Sequence, residues 1–290
     1  MSNNTFRIFT DSGCDLSPAL LAKWGIICES LKFRFDDSEQ EYANGDMPTS
    51  DFYQKMRDGG IAKTAAVNSE EFSLAFEKVL AEGLDVLYIG FSSGISNTFN
   101  AGRIAARELQ EKYPDRQVIA TDSLCASAGE GLLVYLAYKK AAEGASIDEV
   151  AKFVEDTRLH ICHWFTVDDL VYLKRGGRVS PTTALVGNIL AIKPIMHVDN
   201  AGKLIKVATA HGRKKAIAAL AQHYTDSAVT PTEGHVFISH ADCEADAALL
   251  AKMLKDKHGV DVEIITDVGP VIGAHSGPGT LALFYVGNER

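Results

Sequence analysis

The residues best suited to bind a ligand lie in one stretch, 92–102, with the sequence SSGISNTFNAG. An apolar run at 84–91 predicts a strand before it, and the pattern of 103–113 predicts a helix after it. A strand that ends in Gly, Ser and Asn before a helix presents free N–H groups and hydroxyls at one point, and such groups bind anions. Ser96 and Asn97 are therefore candidate anion ligands, with the alternative that either is only a helix N-cap.

Hydroxyl and basic side chains elsewhere offer further contacts to an anion. Thr64 follows Lys63 in a segment predicted to be a turn, where it could place a second hydroxyl near the first. The segment 173–183, LKRGGRVSPTT, combines three basic residues with two adjacent glycines. Arg175 and Arg178 are candidates for the mouth of a cleft, where an anion or a partner arrives. The alternative is that they only offset the carbonyl end of a helix dipole.

One histidine lies in a segment rich in glycine and proline, 269–283, which predicts a loop whose backbone can approach a ligand closely. His275 is either a donor to an anion or a buried imidazole of the core. Cys14 follows Thr-Asp-Ser-Gly without a recognisable base, so we interpret it as a buried thiol. His160 and His163 flank a cysteine without a convincing further ligand, and no metal site is predicted.

Composition and charge exclude several classes of protein. The 290 residues carry 38 acidic and 29 basic side chains, a formal net charge of −9, and this field opposes binding to nucleic acid. No apolar run approaches the ~20 residues of a membrane helix and no secretory signal is visible, so we expect a cytoplasmic protein without stable membrane insertion. The five scattered cysteines are expected to be reduced thiols.

Strand and helix patterns alternate in the first half of the chain and predict a parallel sheet with helices on its faces. Two of its strands end in the same tripeptide, Thr-Asp-Ser, at 10–12 and 121–123. In the second half, KPIMHVD and KLIKVATA flank turn residues at 200–202 and predict an antiparallel hairpin. We therefore expect an α/β protein with an N-terminal three-layer domain, residues 1–158, and a C-terminal two-layer domain with a mixed or antiparallel sheet, residues 159–290.

An ordered set of motifs resembles the DegV family along essentially the whole chain. The set comprises TDS near the start, SSGISNT before a helix, VDDLVYLKRGGRVS, a KPI strand with a DNAGKL turn, and IGAHSGPG near the end. The resemblance implies a protein that holds one long-chain fatty acid between two lobes and needs no catalytic residue or cofactor of its own. It also implies a partner, a fatty acid kinase that phosphorylates the bound acid to an acyl phosphate.

The head-group ligands of that family correspond to four residues of this sequence. Thr64 and Ser96 match the hydroxyls, Asn97 the backbone donor beside the serine, and His275 the histidine of the HxGPG loop. The family usually has Ser-Gly-Thr where this chain has Ser96-Asn97-Thr98, a change that keeps the hydroxyl and the N–H but adds a side chain. It usually has Thr-Ser-Gln-Pro where this chain has Thr64-Ala65-Ala66-Val67, a change that removes a possible polar contact.

An acyl tail would supply most of the binding free energy. Burial of one methylene is worth about 0.8 kcal/mol, so a long tail supplies on the order of 10 kcal/mol, whereas a hydrogen bond to a charged head group supplies about 1.5–3 kcal/mol. The hydroxyls would then determine which end of the acid faces the opening, an orientation that a phosphorylating partner requires. The apolar segment 184–192 is a candidate to line the tail, or is ordinary core.

Two other classes of function stay open. An enzyme acting on a small carboxylate or phosphate in the same cleft would use His275 or Cys14 as its reactive group. A ligand-sensing regulator would need a nucleic-acid or protein surface, which the sequence does not indicate. The ordered motif set favours the fatty-acid carrier over both.

Overall fold

The chain alternates strands and helices and then changes to a second half rich in strands. The computed structural model describes residues 5–180 and 192–290. Its strands are β1 (Phe6–Asp11), β2 (Ile27–Glu29), β3 (Lys32–Phe35), β4 (Tyr42–Ala43), β5 (Ala62–Ala65), β6 (Asp85–Gly90), β7 (Val118–Asp122), β8 (Ile161–Thr166), β9 (Ile192–Val198), β10 (Leu204–His211), β11 (Val236–His240), β12 (Ile264–Asp267) and β13 (Leu281–Val286). Its helices are α1 (Pro18–Trp24), α2 (Thr49–Arg57), α3 (Ser69–Ala81), α4 (Thr98–Lys112), α5 (Ala128–Ala142), α6 (Ile147–Thr157), α7 (Val171–Arg175), α8 (Arg213–Ser227), α9 (Glu244–His258) and α10 (Pro270–Ser276).

Local sequence determines several of the helix starts. Ser17 accepts a hydrogen bond from the backbone N–H of Leu20 at 3.3 Å, and Pro18 occupies the first helical position of α1, as its sequence predicts. Asn68 and Glu71 form a reciprocal capping box at the start of α3. These side chains satisfy N–H groups that a helix cannot satisfy itself, so the helix boundaries follow from nearby residues.

A parallel sheet with the strand order β2-β1-β6-β7 forms the centre of the first half. Helices α3 and α4 cover one face, where Phe72 and Phe76 pack against Tyr88 of β6. Helices α1, α5 and α6 cover the other face, with Leu132 and Val150 in the core. The three-layer arrangement with a parallel sheet is therefore confirmed.

A second sheet, with the order β10-β9-β8-β13-β11-β12, is antiparallel except for the β11–β12 pair. Helices α8 and α9 pack on one face around residues such as Ile217 and Leu250. Helix α5 contributes Leu132 to the same apolar cluster as Phe237 and Phe284 of this sheet. The mixed sheet and its hairpin are confirmed, and α5 is shared by the cores of both sheets.

Two predictions were wrong in the region of a third, small antiparallel sheet with the strand order β4-β3-β5. Thr64 lies in strand β5 and not in a turn, because β5 pairs with β3 and places Thr64 opposite the buried Phe33. The predicted loop at 269–283 contains helix α10, which starts at Pro270 and packs on α2, β3 and β5. Pro favours the first position of a helix, so this residue indicated a helix start and not only a loop.

The two halves meet at the end of α6, which stops at Thr157, while β8 of the mixed sheet begins at Ile161. The division into residues 1–158 and 159–290 stays a prediction. The segment 184–192 lies outside the described residues except for Ile192. No helix in the described part of the chain is long and apolar enough to cross a membrane.

Candidate functional site

A cavity of about 300 Å³ opens at the carboxyl ends of the parallel strands, between the three sheets and α10. Ligands of open parallel sheets bind at this edge, because the loops that follow the strands meet there. Most of its wall is apolar, and the size is at the lower end of the range for small-molecule sites. The apolar wall is formed by Leu31, Ala66, Phe91, Ile95, Ala126, Phe165, Leu173, Val198, Leu204, Val268, Val271, Ile272, Ala282 and Phe284.

Thr64 and His275 form the first polar pair of the wall. The Oγ1 atom of Thr64 lies 2.8 Å from Nε2 of His275, and both side chains face the cavity. Strand β5 positions the threonine, and the last turn of α10 positions the histidine. Packing of α10 on the small sheet therefore brings together two groups that are far apart in the sequence.

Ser96 and Asn97 lie on the same wall, at the start of α4. The Oγ atom of Ser96 accepts a hydrogen bond from the N–H of Thr98 at 3.2 Å and lies 2.9 Å from the hydroxyl of Thr98. Asn97 is the N-cap of α4, but its side chain makes no capping hydrogen bond and contacts Asn100 instead. The start of this 15-residue helix thus presents a hydroxyl and backbone N–H groups to the cavity.

The first residues of the motif 92–102 have a structural role. Ser92 is buried and donates a hydrogen bond to the carbonyl of Gly202 at 2.8 Å, in the turn between β9 and β10. A side chain at Gly94 would lie 2.4 Å from the carbonyl oxygen of Ala201 in the same turn. The first residues of the motif therefore bind the hairpin turn of the second half, and Ser96 faces the cavity.

The two candidate arginines differ in position. Arg178 is half-buried, lines the cavity, and donates to the carbonyl of Gly176. Burial lowers the pKa of this guanidinium below its usual value. Arg175 is exposed and lies outside the cavity lining, with its guanidinium carbon 5.6 Å from the centre of the Tyr172 ring.

His275 is a neutral imidazole near pH 7. Burial and, to a smaller extent, the positive charge of Arg178 lower its pKa to about 4. The ring packs against Gly176, where an added Cβ atom would lie 2.2 Å from Nδ1 of the histidine. Among the described lining residues, Arg178 is therefore the one cationic side chain, and His275 acts through hydrogen bonding.

Sequence reasoning missed a chain of buried polar groups on the same wall. The hydroxyl of Ser127 lies 2.5 Å from Oδ2 of Asp15 and 2.9 Å from Oγ of Ser239, and both serines line the cavity. The other carboxyl oxygen of Asp15 accepts from the N–H of Gly269 at 3.0 Å. Burial raises the pKa of Asp15 to about 8, so this carboxyl is largely protonated at neutral pH.

Only Ser127 of this chain carried a signal in the sequence. It lies before the glycines that begin α5 and after the second Thr-Asp-Ser tripeptide, a position comparable to that of Ser96. In the structure, its φ angle of 53° lies in the left-handed region, which is unusual for serine and which the sequence did not indicate. Ser239 lies within a buried strand, and nothing in its neighbours distinguishes it from a core residue.

The first Thr-Asp-Ser tripeptide supports the loops of the site. Asp11 is buried and accepts hydrogen bonds from the Tyr88 hydroxyl at 2.7 Å and the Phe91 N–H at 2.9 Å. Burial raises its pKa to about 6. Cys14 is also buried, and its thiol pKa is raised by its contact with Cys28 and by burial. Cys14 lies outside the cavity lining.

Five of the six predicted site residues line one cavity: Thr64, Ser96, Asn97, Arg178 and His275. Arg175 does not. Among residues 5–180 and 192–290, no group of three or more His, Cys, Asp or Glu side chains is arranged to hold a metal ion. The arrangement combines an apolar chamber with hydroxyls, helix N–H groups and one cation, which suits an amphipathic anion.

Known proteins resemble this chain over nearly its whole length. The model of the DegV family of uncharacterised proteins matches residues 5–288. A DegV domain-containing protein from Clostridium perfringens is 42% identical over 286 residues, with 98% of each chain covered.

Two solved structures from Thermotoga maritima have the same fold. One is a DegV lipid binding protein, 30% identical, with a TM-score of 0.86 over 98% of this chain and 99% of that chain. The other, described as revealing a fatty acid binding function, is 29% identical, with a TM-score of 0.84 over 97% of this chain and 99% of that chain.

Proposed function

Because the chain belongs to the DegV family, we propose that it binds one long-chain fatty acid and presents the carboxylate to a partner fatty acid kinase. The acid lies between the proposed domains 1–158 and 159–290, and the partner phosphorylates it to an acyl phosphate. The protein itself is a cytoplasmic carrier that uses no cofactor. The fatty acid binding described for the Thermotoga maritima relative supports the first part of this proposal.

The observation that carries the proposal is the polarity of the cavity wall. Most of the wall is apolar, and four of its lining residues, Thr64, Ser96, Arg178 and His275, offer hydrogen bonds or a positive charge to a carboxylate. Burial of a tail supplies on the order of 10 kcal/mol, and each hydrogen bond to a charged head group adds about 1.5–3 kcal/mol. The tail therefore determines affinity, and the polar group determines orientation.

The same residues give little support to the alternative, an enzyme acting on a small carboxylate or phosphate. Cys14 lies outside the cavity lining and its thiol pKa is raised, so it is a poor nucleophile. The low pKa of His275 makes it a weak general base at neutral pH. These residues suit binding of an acid better than its chemical conversion.

Mass spectrometry of lipid extracted from the denatured, purified protein tests the binding function. We expect one class of long-chain fatty acid, and uptake of octadecanoic acid by protein from which lipid has been removed. The double variant Thr64→Val, Ser96→Ala should lose most of this uptake while its unfolding temperature without lipid stays close to wild type. Absence of any bound acid together with no uptake would overturn the proposal.

Phosphorylation assays separate the carrier from the enzyme. With ATP and a fatty acid kinase, the loaded protein should yield acyl phosphate, and without the kinase it should yield none. Arg175→Gln should retain the bound acid but reduce the rate with the kinase, since Arg175 is exposed and is our candidate partner contact. Turnover of a small carboxylate or phosphate by the protein alone, lost in His275→Ala, would favour the enzyme instead.

A further inference from the structure

The cavity wall has polar groups besides those of the proposed carboxylate site. Ser127 and Ser239 line the cavity, and their hydroxyl oxygens lie 2.9 Å apart. Both residues are buried. Such groups raise the cost of burying a plain hydrocarbon tail beside them, so their presence in a largely apolar chamber needs a reason.

Helix α10 connects this hydroxyl pair to the proposed carboxylate site. The carboxyl group of Asp15 contacts the hydroxyl of Ser127 and accepts a hydrogen bond from the N–H of Gly269, the residue immediately before α10. His275 lies in the last turn of the same helix. His275 lies six positions after Gly269, which corresponds to roughly 9 Å along the helix axis. An acyl chain that starts at His275 and runs along α10 would then meet the hydroxyl pair several methylene groups beyond the carboxylate.

Ser239 has unused hydrogen-bonding capacity. A hydroxyl can donate one hydrogen bond and accept two, and among the described residues Ser239 has a single partner, Ser127. Asp15 adds a further O–H donor to this group of side chains. Burial raises the pKa of its carboxyl to about 8, so the carboxyl is largely protonated at neutral pH. Three O–H groups, on Asp15, Ser127 and Ser239, then share two contacts, so one O–H lacks an acceptor among residues 5–180 and 192–290.

We propose that Ser239 and Ser127 form a second polar subsite that binds an oxygen atom on the acyl chain, so that the protein accepts hydroxylated long-chain fatty acids. This inference rests on the proposed carrier function and specifies its ligand class. A hydroxyl on the chain fits because it both donates and accepts, and it therefore matches the serine pair whichever way the pair is oriented.

The test compares octadecanoic acid with positional isomers of hydroxyoctadecanoic acid, by calorimetry on protein from which lipid has been removed. In a purely apolar chamber every isomer binds more weakly than octadecanoic acid, since the hydroxyl loses its hydrogen bonds to water. We expect one isomer to bind at least as tightly as octadecanoic acid. Ser239→Ala should weaken that isomer about tenfold and leave octadecanoic acid within about twofold.

Two further variants exclude a folding defect and a contribution from another hydroxyl as the cause of the expected loss of binding. Ser239→Cys retains the volume but weakens hydrogen bonding, and it should show the same selective loss if Ser239→Ala fails to fold. Ser276→Ala tests the competing candidate, because Ser276 is a buried hydroxyl of the same cavity wall, without a partner among the described residues and outside the Asp15 chain. It should leave the preferred isomer unaffected.

The outcomes separate the subsite from the carrier function. If octadecanoic acid binds and every hydroxylated isomer binds more weakly, the subsite is overturned and the carrier remains. A preference that persists in Ser239→Ala, or that is abolished by Ser276→Ala, also overturns the subsite. If no fatty acid binds to wild-type protein, the carrier function fails and the subsite with it.

Discussion

Thr64 and His275 are 211 positions apart in the sequence, and their Oγ1 and Nε2 atoms lie 2.8 Å apart on the wall of the cavity. The contact joins the small antiparallel sheet to helix α10, so it depends on how two distant elements pack. Because the histidine is neutral near pH 7, the pair presents a threonine hydroxyl held by an uncharged ring. This is a suitable partner for a carboxylate oxygen, which accepts hydrogen bonds but does not donate them.

Gly176→Ala should displace His275 from Thr64. An added Cβ atom would lie 2.2 Å from Nδ1 of the ring, while the φ angle of −73° at Gly176 accommodates alanine without strain. We expect fatty acid binding to weaken about tenfold, as for the loss of one hydrogen bond. Gly45→Ala is the control, because a Cβ atom there meets nothing within 4 Å. Unchanged affinity in Gly176→Ala would show that the ring position is not required.

Ser96→Ala and Ser92→Ala should have different effects. Ser96 faces the cavity, so its loss is expected to weaken retention of the acid by about 1.5–3 kcal/mol. Ser92 binds the carbonyl of Gly202, so its loss should lower the free energy of unfolding by about 1–3 kcal/mol and leave retention nearly unchanged. Native mass spectrometry measures retention and chemical denaturation measures stability. Equal retention in the two variants would remove Ser96 from the site.

Arg178→Gln should weaken fatty acid binding, whereas Arg175→Gln should not. The first residue lines the cavity and the second is exposed outside it. Arg178→Gln should also raise the pKa of His275, because the positive charge of Arg178 lowers it in the wild-type protein. Calorimetry measures the affinities and NMR titration of the imidazole measures the pKa. A His275 pKa that does not change would contradict the arrangement described here.

Asp15 and Asp11 should contribute a loss of stability as the pH rises from about 4 to about 8, whereas His275, with its pKa lowered from 6.5 to about 4, contributes a gain below about pH 6.5. The pKa of Asp15 is about 8 in the fold against a usual value of 3.8, and that of Asp11 is about 6. The unfolded chain therefore releases these protons at lower pH than the folded chain does, and each group makes the free energy of unfolding fall by up to about 1.4 kcal/mol per pH unit within its interval.

Asp15→Asn should flatten this dependence above about pH 6. The amide can accept from Gly269 and donate to Ser127, and asparagine tolerates the φ angle of 51° at this position. Chemical denaturation across the pH range measures the slope. Asp115→Asn, at an exposed position, is the control and should keep the wild-type slope. A slope unchanged in Asp15→Asn would contradict the raised pKa.

Local signals predicted most of the architecture. Ser17-Pro18 located the start of α1, and the residues at 200–202 located the turn of the β9–β10 hairpin, because caps and turns depend on side chains within a few positions. Thr64 was misplaced because β5 is short and pairs with β3, a contact that its own residues do not specify. Helix α10 was missed within the segment 269–283 because its several glycines favoured a loop, although Pro270 indicated a helix start.

The sequence by itself determined the α/β fold, the hairpin, and the motifs that identify the family, since these depend on periodicity and on short ordered runs of residues. The motifs in the sequence also indicated the residues from which the carboxylate site is proposed. Only the tertiary structure separated Ser92 from Ser96 within one motif, placed Arg178 on the wall and Arg175 outside it, and joined Asp15 to Ser127 and Ser239. The physical reason is that these roles depend on which distant surface each side chain meets, and that surface forms only when the sheets and α10 pack around the cavity.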